Sequence, residues 1–297
     1  MSISHYIKDI GRGKDGARSI DRAQAADLMG QVLDGQVSDL ELGAFCLAMR
    51  IKGETPEEMA GFLDAVHARL NKVVASGAPT VVLPSYNGAR KLPLLTPLLA
   101  LLLAREGAAV VVHGSVTEDK RVPSEAVFAE LGIQPSAVSV SAGEVAFVRT
   151  ATLHAGLDRL LSVRRVVGLR NSGHSLVKLM NPCDAPALVV GSYTHPEYLQ
   201  SMSATFALTG QHALLLRGTE GEPVADARRT PAMDVFKDGQ TRRVQDQREG
   251  SLNKLPDMPA IDAAATAEYI RQVLRGDRAV PEPIALQVQH ILREVKP

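Results

Sequence analysis

Residues 80–113 read TVVLPSYNGARKLPLLTPLLALLLAREGAAVVVH. Thr80-Val81-Val82-Leu83 is a short apolar run stopped by Pro84, and Ala108 to His113 is a second. Each has strand length and β-branched content. Between them a polar loop gives way to Leu92–Arg105, a leucine-rich stretch of helical length. Strand, helix, strand at this spacing implies a right-handed crossover between parallel neighbours. Working outward, the alternation continues. Helices are expected at Glu125–Leu131, Ala151–Leu161 and Pro196–Leu208. Strands are expected at Glu144–Val148, Ala187–Val190 and His212–Leu216. Such a run builds a mainly parallel sheet covered on both faces. Val235-Phe236-Lys237, Asp238-Gly239 and Thr241 to Val244 form a hairpin signal, and helices at Ala263–Leu274 and Ile284–Val295 close the chain.

The first quarter is different: it reads as helices only. Arg22–Leu33 is one, ended by Asp34-Gly35, and Ser38 caps the next. Thr55, Pro56 and Glu58 supply an N-cap, a first-position proline and a capping-box partner for a third, which ends near Leu70. All are short and amphipathic, so they need partners to bury against.

Composition narrows the function classes. The chain has 297 residues, and 33 Lys+Arg balance 33 Asp+Glu. Polyanion binding must therefore come from arrangement and not from bulk charge. The longest apolar stretch, Leu98–Ala104, is far below the roughly 20 residues of a membrane span. The N-terminal residues carry no signal-peptide core. Two cysteines, Cys46 and Cys183, make no disulfide framework, and a reducing cytoplasm is expected. Aromatics at 4% and the absence of tryptophan argue against a stacking platform for bases.

The segment Glu41–Asp64, with its core from Gly43 to Phe62, resembles the N-terminal helical domain of anthranilate phosphoribosyltransferase and its relatives. The resemblance extends over nearly the whole chain. It implies an α/β fold of the nucleoside phosphorylase/phosphoribosyltransferase type. A small helical domain, residues 1–74 with a helical contribution from about 170–185, stands beside an α/β domain, residues 75–297. The signature Gly168-Leu169-Arg170-Asn171-Ser172-Gly173-His174-Ser175-Leu176-Val177-Lys178-Leu179 looks most like the YbiB-type paralogues, which are described as homodimeric nucleic-acid-binding proteins.

The catalytic motifs of the enzymes can be followed residue by residue. Their pyrophosphate loop, Gly-Thr-Gly-Gly-Asp, falls on Ser85-Tyr86-Asn87-Gly88-Ala89. One glycine of three remains and the acid is gone, with Arg90 and Lys91 following. This loop either meets phosphate by charge or is a plain surface turn. The second motif, around His113-Gly114, has Val112 for Lys, Ser115 for Asn and Val116 for Arg, with Asp119 and Lys120 in place of its serines. An arginine replaced by valine removes a bidentate anion clamp. The acidic pair that holds Mg²⁺ in the enzymes falls on Pro223 and Val224. Glu220 and Glu222 lie close enough to be weak metal candidates, or simply belong to a solvated acidic loop. Arg170 and Asn181-Pro182 keep their places, while His174 replaces Asn and Lys178 replaces Pro. The phosphoribosyl-transfer site is expected to be lost, with no cofactor implied.

Charge arrangement then matters. From Arg159 to Cys183 the basic residues Arg159, Arg164, Arg165, Arg170 and Lys178 are uninterrupted by any acid. An N-terminal arm adds Lys8, Arg12, Lys14, Arg18 and Arg22. On the fold the resemblance implies, Arg90, Lys91, Lys120, Arg121, Arg170, His174 and Lys178 cluster at the interdomain cleft. The expectation is a homodimer, formed through the helical domain, that binds DNA or RNA backbone without sequence specificity. Two alternatives stand beside it. One is a divergent Mg²⁺-dependent transferase that uses Glu220 or Glu222, and the other is a metabolite- or protein-binding module.

Overall fold

The computed structural model describes residues 2–13, 15–75, 77–135, 139–248 and 257–296; Lys14 lies outside them. In chain order the helical layer begins with α1 (Ser4–Ile10), α2 (Arg22–Leu33), α3 (Asp39–Lys52) and α4 (Pro56–His67). The N-termini of α2, α3 and α4 close with reciprocal capping boxes, Asp21 with Gln24, Ser38 with Glu41 and Thr55 with Glu58. Each box satisfies two backbone donors that a helix start otherwise leaves open. Glu58 does more: its buried carboxylate also accepts the Ile20 N–H at 3.0 Å and pairs with Lys52 at 2.6 Å.

The α/β region follows as β1 (Val74–Ala75), β2 (Thr80–Pro84), α5 (Thr96–Arg105), β3 (Ala109–Gly114), α6 (Ser124–Glu130), β4 (Ser139–Val140) and β5 (Val145–Arg149). Then come α7 (Thr150–Leu153), α8 (Ala155–Val167), α9 (Ser172–Leu176), β6 (Leu188–Tyr193), α10 (Pro196–Thr209) and β7 (Ala213–Arg217). The last elements are β8 (Met233–Lys237), β9 (Gln240–Gln245), α11 (Ala263–Arg275) and α12 (Glu282–Val295). Seven strands form one sheet in the order β5-β3-β2-β6-β7-β8-β9, and β1 pairs with β4 in a separate two-stranded piece. The sheet is parallel from β5 to β7; β8 and β9 are antiparallel. Asp238 and Gly239, both at positive φ (50° and 78°), make the hairpin turn the sequence announces.

The helical layer covers one face of the sheet. It draws α8 and α9 from the middle of the chain to pack on α2, α3 and α4. Its core joins Phe45, Phe62 and Leu28 to Val82, Val111 and Val189 of the sheet. The other face carries α5, α6, α11 and α12 over Val81, Val110 and Leu214. Two helix boundaries differ from the sequence reading. α5 starts at Thr96 and not at Leu92, because Pro97 lacks the N–H that an interior helical position needs and so sits in the first turn; the Leu92 N–H instead donates to Glu220 Oε2 at 3.2 Å. The helix expected over Ala151–Leu161 is broken at His154 (φ −166°, ψ 118°), whose ring accepts the Leu157 N–H and starts α8. Among the described residues no helix is long and apolar enough to cross a membrane.

The chain runs outward from β2 through β3 to β5, then returns to β6 on the other side of β2. The crevice beyond the carboxyl ends of β2 and β6 is therefore the topological switch point, where open α/β sheets place their ligands.

Candidate functional site

Three loops meet at that crevice: residues 85–95 after β2, 115–123 after β3, and 218–222 after β7. The first two are zipped by a short antiparallel bridge. Ala89 N–H donates to Val122 O at 2.8 Å, and Val122 N–H returns to Ala89 O at 3.1 Å. Gly88 makes the turn at φ 69°, and a Cβ there would stand 2.8 Å from Val122 O, so the remaining glycine of this loop is required sterically. The bridge sets Arg90 and Lys91 beside Lys120 and Arg121.

The loop that resembles a degraded phosphate cradle is not empty of anions. Glu222, 1% exposed, reaches into it. Its Oε1 accepts the N–H groups of Asn87 (2.6 Å) and Gly88 (2.9 Å). Its Oε2 accepts the hydroxyls of Ser85 and of Thr96, the latter at 3.1 Å. Glu220 does the same one step further on, where its Oε2 gathers the N–H groups of Arg90, Lys91 and Leu92 at 2.8, 2.9 and 3.2 Å. It does so from φ 53°, a left-handed conformation uncommon for a residue with a side chain. Backbone donors that could hold a pyrophosphate are thus spent on the chain's own carboxylates. Glu222 does not fit a Mg²⁺ ligand, since both its oxygens are committed to N–H and O–H donors, and Glu220 commits its Oε2 to three N–H groups. Among the described residues no group of three or more His, Cys, Asp or Glu could hold a metal.

Asn87 ties the loops together. Beyond its N–H, its Nδ2 donates to Glu220 O at 2.5 Å and its Oδ1 accepts from Arg170 at 2.8 Å. A Cβ on Gly221 (φ 84°) would lie 2.0 Å from that Nδ2, so glycine is needed there too. Tyr86 turns inward, with its hydroxyl 2.7 Å from His113 Nδ1 and 2.9 Å from Thr150 Oγ1.

The predicted cations separate into groups. Arg90, Lys91 and Lys120 are exposed and have no carboxylate partner among the described residues. Arg121 shares Glu118 with Arg164, at 2.8 and 2.7 Å. Arg170 is half-buried, and burial together with the nearby Arg164 and Arg121 cations lowers its pKa to about 10. His174 and Lys178 require correction: they line the crevice but do not face solvent, being 4% and 8% exposed. His174 caps α9, accepting the Asn171 N–H on Nδ1 at 3.3 Å, and burial holds its pKa down to about 3, so it is neutral. Lys178 donates to Gly221 O at 2.7 Å and Ser192 O at 3.4 Å, and burial lowers its pKa to about 8. It braces the glutamate turn from within.

The uninterrupted basic segment also reads differently in space. Tertiary contacts supply the acids the sequence lacks locally: Asp39 pairs with Arg159 at 2.7 Å, Glu118 with Arg164, and Asp119 with Arg165 at 2.8 Å. Sequence reasoning missed Asn87 as the hub, and it missed the wall opposite Arg170, made by Glu54, Tyr193, His195 and Tyr198. These residues line a cavity of about 620 Å³ between the helical layer and α10. No motif marks them.

Fold and site together define a two-part α/β protein of the phosphoribosyltransferase kind, with its phosphate loop closed by internal carboxylates. Residues 4–69 match the glycosyl transferase family helical bundle domain. Protein YbiB of Escherichia coli (strain K12), an uncharacterized protein, is 38% identical over 97% of this chain and 92% of its own. Anthranilate phosphoribosyltransferase of Anaeromyxobacter dehalogenans (strain 2CP-C) is 28% identical over 96% of this chain and 86% of its own. The crystal structure of anthranilate phosphoribosyltransferase (TrpD) from Thermus thermophilus superposes with a TM-score of 0.76 at 22% identity, covering 97% of this chain and 87% of that one. The chain belongs to the anthranilate phosphoribosyltransferase superfamily, within the YbiB-type group.

Proposed function

We propose that this protein is a non-catalytic, cytoplasmic binder of DNA or RNA that grips the sugar–phosphate backbone without reading sequence. The observation that carries the reading is the zipped pair of loops. It sets Arg90, Lys91 and Lys120 on one rim without a carboxylate partner among the described residues, next to Arg121 and Arg170, while the adjoining donors of the loop that resembles a pyrophosphate cradle are filled by Glu220 and Glu222. A rim of free cations contributes through counterion release, with log K falling by roughly 0.9 per phosphate contact for each decade of salt. The filled cradle weighs against phosphoribosyl transfer, which needs those donors for the departing pyrophosphate.

The binding unit in this reading is a homodimer. On α3, Leu40 is 84% exposed, and Leu47 and Ile51 are exposed on the same stretch of helix, with Val166, Val167 and Leu169 exposed at the end of α8, which packs on α3. An apolar face of this kind on a soluble domain marks an interface. Two rims on one dimer raise avidity through effective concentration.

A gel-shift titration with single- and double-stranded DNA and with RNA, at two salt concentrations, tests the reading. Binding that weakens steeply with salt and varies little with sequence is expected. Absence of binding at low salt, or turnover of anthranilate with phosphoribosyl pyrophosphate above background, refutes it.

A further inference from the structure

The cavity at the switch point is built for something other than a phosphate. His174 lines it; its Nδ1 lies 3.3 Å from the Asn171 nitrogen and 3.2 Å from Asn171 Oδ1, while its buried Nε2 has no hydrogen-bond partner among the described residues. A nine-tenths-buried ring nitrogen without a hydrogen-bond partner is uncommon in native proteins and marks a place where a ligand group can bind. Arg170 spends one N–H on Asn87 Oδ1 and turns the rest of its fork to the same space. Glu54 lines the same cavity. One oxygen accepts the Ser172 hydroxyl at 2.5 Å, and burial pushes its pKa up, so the carboxyl can serve as acceptor or, when protonated, as donor. A simple anion would suit Arg170 but not this carboxyl.

The walls are flat rings. Tyr193 and Tyr198, two of the five tyrosines in the chain, line the cavity with His195, whose ring lies 6.4 Å from that of Tyr198 at 43°. Composition argues against a stacking platform, yet two of the few aromatic side chains line this one cavity. Asn87 lines the cavity and also belongs to the loop that carries Arg90 and Lys91, so one loop links the cavity to the cationic rim.

We infer that this cavity receives one unpaired nucleobase, its edge set between His174, Arg170 and Glu54 and its face against Tyr198. The inference rests on the proposed backbone binding, which would hold the adjacent phosphate at the rim. Its volume lies within the range of small-ligand pockets. A base has the required chemistry: a flat face, with donors and acceptors side by side on one edge. It also predicts a preference for single strands, since a paired base cannot enter without the unpairing cost of a few kcal/mol. The same chemistry belongs to a free nucleotide, and the test separates the two sources.

The experiment uses the full chain and a short single-stranded DNA carrying one central 2-aminopurine. Binding is followed by anisotropy of a terminal fluorescein, and insertion by 2-aminopurine emission. An otherwise identical strand with an abasic site at the centre, a matched duplex, and adenosine monophosphate complete the set. The expected result is a change in 2-aminopurine emission of at least twofold on saturation. The abasic strand and a Tyr198→Leu variant should each bind at least about fivefold more weakly, the low end of what base–aromatic stacking supports. Tyr198 is half-buried near the start of α10, and a circular dichroism melt confirms that the variant is folded; His174→Gln gives a second reading from the cavity lining. Strand binding with unchanged 2-aminopurine emission and equal affinity for the abasic strand overturns the inference and leaves the rim reading intact. No strand binding of any kind overturns the rim reading itself. Saturation by adenosine monophosphate, with no difference between intact and abasic strands, assigns the cavity to a free nucleotide and overturns insertion from a strand.

Discussion

Replacing Glu222 with alanine tests the central claim about the closed cradle. The carboxylate is 1% exposed and accepts four hydrogen bonds, from Ser85, Asn87, Gly88 and Thr96. Ser85 has a second partner, the Ser124 hydroxyl at 2.5 Å, and so is partly rescued in the variant. The Asn87 and Gly88 N–H groups have no such alternative. Two orphaned buried donors cost about 1–3 kcal/mol each, and stripping a charge from a buried polar network costs about 3–5 kcal/mol. Both routes converge on about 4 kcal/mol. For a chain of this size each kcal/mol lowers Tm by about 2–4 °C, so a drop of about 8–16 °C is expected. With no tryptophan in the chain, circular dichroism at 222 nm is the appropriate probe. Glu118→Ala is the control, because that carboxylate is partly exposed and its ion pairs are worth about 0–1 kcal/mol each. A Glu222→Ala melt within 2 °C of the parent refutes the reasoning. So does a rise in the parent Tm with Mg²⁺ that Glu222→Ala abolishes, because that would make the carboxylate a metal ligand.

Three further outcomes are expected. Arg90→Ala with Lys91→Ala should reduce the slope of log K against log salt by about 2, one for each phosphate no longer neutralised, whereas Lys237→Ala at the far end of β8 should leave it unchanged; equal losses from both would mean diffuse attraction with no defined rim. Leu40→Asp with Leu47→Asp should convert a dimer to monomers in light scattering at micromolar concentration, and a monomeric parent would remove the proposed assembly. Burial lowers the pKa of His113 and of His174 to about 3, well below the unfolded value near 6.5. The unfolded state therefore binds more protons in that interval, and stability is complete above about pH 6.5 and falls as pH drops toward 3. Urea midpoints between pH 5 and 6.5 should show this fall, with a shallower slope in His113→Asn; a flat profile contradicts it.

Much of the fold was legible because its signals are local. Caps at Ser38 and Thr55, apolar strands at Val81, Val110 and Val189, and the Asp238-Gly239 turn each act within a few residues of themselves. The boundaries that shifted turn on single residues inside a helical run: Pro97 holds the start of α5 at Thr96, and His154 breaks the run and caps α8. What no local signal marks is a contact from far away, such as Glu220, more than a hundred residues on, accepting the Leu92 N–H. The site divides on the same principle. Arg90, Lys91 and Lys120 sit on loops whose place follows from the parallel topology, and their exposure follows from loops being loops. His174 and Lys178 could not be assigned from sequence, because whether a polar side chain faces solvent or a carbonyl depends on what packs over it. The run from Arg159 to Cys183 looked unopposed only along the chain; Asp39, Glu118 and Asp119 oppose it in space.

One exchange links the loop's resemblance to the function proposed for it. The loop that resembles the enzymes' pyrophosphate loop carries Ala89 at the place of that motif's acid, and a carboxylate reaches it from another loop as Glu222. The anion that the loop requires is now covalently part of the chain, held at no cost in translational freedom, so no diffusing pyrophosphate competes for it on equal terms. Lys178 supports the arrangement from below through the Gly221 carbonyl. A cradle filled in this way cannot release a leaving group, but it fixes the outer side of the same loop. Arg90 and Lys91 then stand on a rigid base with their own N–H groups already satisfied by Glu220, and only their side chains remain free to meet an external anion. Closing the inner site and presenting the outer rim are, on this geometry, one structural change.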